Sequence, residues 1–96
     1  MAQGENTNMS EVRVSGVRRI INKELVPFSR QLAAMMRAGM TIVVSLSTVE
    51  EQIALPSFRT VVRTLKETIE SGGAFSDGLA RFPRIFDDLY VNIVRA

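Results

Sequence analysis

Leu25, Phe28, Leu32 and Met35 or Met36 recur at intervals of three and four, the spacing of one helix face. Asn22 stands ahead of them as a candidate N-cap, and Glu24 then falls in the first turn, where a carboxylate suits the helix dipole. Pro27 lies in that same early region, where a missing N–H costs least. Arg37 in the last turn and Gly39 after it read as the end, with Gly39 as a left-handed cap. Thr41 can then cap the next element.

That element opens with TIVVSLSTV, which propensity alone assigns to a strand. Ile42, Leu46, Val49 and Ile53 nevertheless repeat at helical spacing, and the segment runs on into EEQIAL. A lone strand would leave its backbone edge unpaired. The pattern therefore predicts a helix. β-branched residues cost a few tenths of a kcal/mol each there, against roughly 1.5–3 kcal/mol for burying a large apolar side chain.

Pro56 suits the first position of a third helix, with Phe58, Val62, Leu65 and Ile69 as its buried stripe and Val61 beside it. Arg63 with Glu67, and Lys66 with Glu70, stand at ion-pair spacing on its other faces. Ser71-Gly72-Gly73 ends it. Ser76 is the expected N-cap of a short helix that turns Leu79 and Phe82 inward and stops at Pro83. Asp87 or Asp88 starts a last helix, in which Leu89 and Ile93, with Tyr90 and Val94 beside them, face the core. Residues 1–10 read as disordered, and residues 11–22 as a short helix or an irregular lead-in. The expected division is a flexible or partly ordered basic lead-in over 1–21 and a helical bundle over 22–96.

With 96 residues there is room for one small domain, and 46% hydrophobic residues suffice for a packed core. Residues 1–39 hold six basic and three acidic side chains, whereas residues 40–96 hold six and seven. The excess, in Arg13, Arg18, Arg19 and Lys23, reads as a solvated lead-in or as a segment facing a membrane surface or acidic partner. No apolar run approaches the roughly 20 residues of a membrane-spanning helix. MAQGENTNMS lacks the apolar stretch of a signal peptide, so a soluble domain is expected.

The absence of His, Cys and Trp removes imidazole bases, thiolates, disulfides and the usual zinc sites. Neighbouring carboxylates at Asp87 and Asp88 diverge on a helix and suit capping better than catalysis, and Glu50 with Glu51 read as an exposed pair. Ser76 has no nearby base, and Gly72-Gly73 lacks the lysine of a phosphate loop. No enzyme, cofactor or metal site is expected. A helix-turn-helix DNA reader is a weaker reading, because the helix after Gly39 offers Ile42, Val43, Val44 and Leu46 where base-reading side chains belong. Met35, Met36 and Met40 suit core packing first and a docking surface second. Doubled apolar positions at 35–36 and 43–44 imply burial from two sides, by further helices or by another subunit.

In order, LVPFSRQLAAMMRAGMTIVVSLSTVEEQ, ESGGAFSDGLARFP and IFDDLYVNIVRA resemble the first cytoplasmic domain of the type II secretion system F proteins, the inner-membrane platform proteins of secretion and type IV pilus machines. The resemblance runs from Glu24 to Ala96. It implies a small antiparallel all-α bundle of about six helices, about five of them within this chain, in a longer protein with membrane spans. It also implies a place on the cytoplasmic face of the inner membrane. The expected partners are an assembly ATPase, other platform components, and pilin or pseudopilin, with no nucleic acid. Gly39, Gly73, Ser76 and Pro83 match turn-shaping positions, and Thr41 stands where the family often has proline. Candidate partner contacts are Arg59, Arg63, Arg81 and Arg84, chosen as basic and exposed. A stand-alone adaptor is the remaining alternative. The family's Gly-Glu pair and last helix would follow Ala96, so self-association across the open seam, or marginal stability, is expected. Sedimentation velocity should show dimers or larger species, or an easily unfolded chain; a compact, highly stable monomer contradicts this.

Overall fold

A computed structural model describes residues 14–95, and the expectation of disorder over residues 1–10 lies outside that range. Every regular element described is helical, as the all-α reading expects. The first is α1, Val14–Arg19, which continues through a π turn, Ile20–Glu24, into α2, Leu25–Arg37. Asn22 is therefore not an N-cap but lies inside the wide turn, where Leu25 N–H reaches back to the Ile20 carbonyl. Pro27 supplies a reason for that turn. It has no N–H, and its ring crowds the carbonyl four residues back, so the backbone widens just upstream. Burial supplies the other: Val17 and Ile20 enter the same core as Phe28 and Leu32, which favours helix over a capped start. The backbone shows no break between residues 21 and 22.

α2 ends in a Schellman turn. Met40 N–H bonds to the Met35 carbonyl at 3.1 Å and Gly39 N–H to that of Met36 at 3.0 Å, with Gly39 at φ 94°. Thr41 Oγ1 then accepts the Val44 N–H at 3.2 Å and opens α3, Ile42–Gln52. The valine-rich segment is thus a helix, with Leu46 and Val49 buried in the core. Buried Ser45 is satisfied within its own turn, its hydroxyl donating to the Thr41 carbonyl at 2.8 Å. The helix does not continue through EEQIAL. It stops at Gln52, and Ile53 fills its core position from extended backbone. Leu55 precedes Pro56, whose ring disfavours helical backbone at the residue before it.

α4, Pro56–Glu70, buries Phe58, Val61, Val62 and Leu65. Its C-terminus repeats the first turn: Gly73 N–H bonds to the Thr68 carbonyl at 2.9 Å and Gly72 N–H to that of Ile69 at 3.0 Å. Gly72, at φ 103°, takes the left-handed position. Gly73 meets a different demand, since a Cβ there would lie 2.9 Å from Thr68 Cγ2 and 3.1 Å from the Thr68 carbonyl oxygen. α5, Phe75–Ala80, is capped at Ala74 rather than Ser76. Asp77, three residues into the helix, accepts the Ala74 N–H at 3.0 Å, the carboxylate half of a capping box. Because the Schellman turn leads straight into α5, Ser76 falls inside the helix and is buried.

α5 stops ahead of Pro83, and the next turn buries Phe82, Ile85 and Phe86. Asp87 Oδ1 accepts the Tyr90 N–H at 2.9 Å and caps α6, Asp88–Arg95. Successive helices pack on one another from α2 to α6. Aromatic rings close the bundle: Phe28 lies 5.2 Å edge-on from Phe58 and 6.3 Å from Phe86, and Phe86 lies 5.1 Å from Tyr90. This packing turns α6 away from its expected orientation. Val91 is buried, with Tyr90 and Val94 half-buried, whereas Leu89 and Ile93 are 68% and 67% exposed. Met36 and Val44 also remain on the surface, so the doubled apolar positions are not enclosed from two sides by the described residues.

Burial assigns opposite roles to neighbouring apolar residues. Phe58→Ala should lower unfolding stability by about 3–5 kcal/mol, and Leu89→Ser should change it by less than about 0.5 kcal/mol, in urea titrations followed by circular dichroism.

Candidate functional site

The charged side chains available for recognition depend on which ones the fold already uses. Glu50, on α3, faces α4 with its side chain only 13% exposed. Its Oε2 accepts from Arg63 Nε at 2.9 Å, with Arg63 Nη2 at 2.8 Å, and its Oε1 stands 3.4 Å from Lys66 Nζ. Oε1 is sealed from water without a hydrogen bond, so Lys66 meets it as an ionic neighbour. These contacts replace the Arg63–Glu67 and Lys66–Glu70 pairs expected along α4. They join two helices already in contact, and they make Glu50 a structural anion rather than half of an exposed pair. At the same end of the bundle, the Gln31 amide on α2 donates to Gln52 on α3.

The four candidate arginines do not share one established patch. Arg59 and Arg63 stand one turn apart on α4, but Arg63 is engaged with Glu50. Arg81 is the exposed C-cap of α5. Arg84, in the turn before α6, lies across a groove of about 380 Å³ lined by Val17, Arg18, Ile21, Asn22 and Arg84. Arg18 was legible only as part of a basic lead-in. Its place on the same groove as Arg84 depends on the first helix continuing upstream of Asn22.

Ser29 and Tyr90 join α2 to α6 through a hydroxyl–hydroxyl hydrogen bond of 2.7 Å. Burial raises the Tyr90 pKa above its usual 10.0, partly offset by the Ser29 hydrogen bond. The described residues hold no cluster of three or more metal-ligating His, Cys, Asp or Glu side chains, and no described helix is long and apolar enough to cross a membrane.

The family model described as type II secretion system protein F matches residues 28–96, from the phenylalanine at the centre of the aromatic cluster onward. The chain belongs to the type II secretion system protein F family. Similar members include a type IV pilus assembly protein PilC of Thermus thermophilus, 41% identical over 91% of this chain and 21% of the relative. A PilC of Myxococcus xanthus is 34% identical over 90% of this chain and 21% of the relative. A type II secretion system protein F of Aeromonas hydrophila is 37% identical over 76% of this chain and 19% of the relative. The chain thus spans about a fifth of these family members.

The Tyr90 shift has a definite sign. A folded-state pKa above the unfolded value leaves stability intact below about pH 10 and removes it as pH rises further, because only the unfolded chain then readily loses the proton. Tyr90→Phe should lessen the alkaline fall in stability, measured by urea midpoints from pH 8 to about 11.

Proposed function

We infer that this protein F family domain is a non-enzymatic scaffold in the inner-membrane platform protein of a type IV pilus or type II secretion machine. The observation that carries the reading is that relatives named for pilus assembly and relatives named for type II secretion both match across most of the chain. A part common to both machines fits work they share, the assembly of pilin or pseudopilin into a fibre.

In this reading the bundle stands on the cytoplasmic face of the inner membrane, and other parts of the longer protein cross the bilayer. Its role is mechanical. One surface receives an assembly ATPase and another meets further platform components or a second copy. The geometry supports such a role in two ways. Phe28, Phe58 and Phe86 join distant segments in one packed core, which lets the domain transmit force as a unit. Asp77, Asp87 and Glu50 are occupied by caps and ion pairs, which are structural uses of carboxylates.

The test is retention of the cognate hexameric ATPase by the full-length, membrane-inserted platform protein in a pull-down. Deleting this domain should abolish retention while leaving insertion intact. Failure of the intact inserted protein to retain the ATPase counts against the coupling role.

A further inference from the structure

We propose that the groove between the first helical rod and the α5–α6 turn docks a short peptide segment of a partner protein, with an apolar side chain flanked by carboxylates. The inference concerns the groove's ligand and does not depend on which machine the domain serves. Arg18 on α1 and Arg84 before α6 supply two exposed guanidinium groups, while Val17 and Ile21 supply an apolar wall and Asn22 an exposed amide. Among the described residues no acidic side chain lines the groove, and neither arginine is in an ion pair with another of them.

The chemistry is complementary to one kind of occupant. Guanidinium groups bind carboxylates through paired N–H donors and are more weakly hydrated than ammonium groups. Ile21 is 40% exposed, so an apolar side chain seated against it removes further surface from water. The volume of about 380 Å³ suits a few side-chain groups rather than a folded domain. An apolar side chain can pack against Ile21 while neighbouring carboxylates reach the guanidinium groups. Arg19 and Lys23, exposed on the same rod, add positive potential that favours the approach of an acidic segment.

The test pans a phage-displayed library of random heptapeptides against the whole 96-residue chain, then titrates the leading peptide into isotope-labelled protein. Enriched peptides should place Asp or Glu beside an apolar residue. NMR shifts should concentrate on the Arg18 and Arg84 Nε–H groups and the Val17 and Ile21 methyls. Arg84→Glu should weaken binding at least about tenfold, and Arg18→Gln should also weaken it, with both thermal melts unchanged. Arg59→Glu should bind as the unchanged protein does. Peptides without acidic enrichment, shifts mapping elsewhere, or full binding by the Arg84→Glu protein would overturn the proposal. So would binding to phosphatidylglycerol vesicles without peptide binding. Peptide-free changes at the groove in Glu11→Gln would also overturn it, since they would mean that the chain's own leading segment fills the site.

Discussion

Phe28 is the residue on which closure of the bundle turns. Its ring meets Phe58 from the centre of the helical order and Phe86 from near its end. Alongside it, the Ser29–Tyr90 hydrogen bond ties α2 to α6. With both, the last turn returns to the first rod and the interior is shared. The aromatic rings give this meeting both large buried area and preferred edge-on geometry.

Local chemistry punctuates the chain so that this meeting can happen. Two helices end in the same hydrogen-bond pattern, with Gly39 and Gly72 each taking a backbone conformation that other residues adopt only under strain. Side-chain oxygens of Thr41, Asp77 and Asp87 satisfy orphan donors where helices begin. The chain therefore changes direction without leaving those groups unpaired. Its family connects this small helical domain to proteins named for type II secretion and pilus assembly, while its exposed apolar and basic positions are the natural places to seek contacts.

Much of this was legible in order. The helix after Gly39, the buried stripe of α4, and the breaks at Gly39 and Gly72-Gly73 all follow from spacing and residue type. Caps were harder to place. Ser76 has favourable N-cap chemistry, but the preceding turn starts the helix earlier and gives the capping contact to Asp77. Asn22 loses its expected role because burial of Val17 and Ile20 carries the helix past it. Arg63 and Lys66 choose Glu50 across the bundle over carboxylates on their own helix, and an intrahelical spacing rule does not see that partner.

By itself the sequence determined the helical class, the main buried stripes and the glycine breaks, because each depends on residues within a turn or two of one another. It also carried the ordered motifs that mark the family. Only the tertiary structure decided which face of α6 turns inward, which acid pairs with α4, and that Arg84 and Arg18 line one groove. Those outcomes depend on residues far apart in the chain. A helix has many rotations that satisfy its own backbone, and the packing of rings, methyl groups and charges around it selects one.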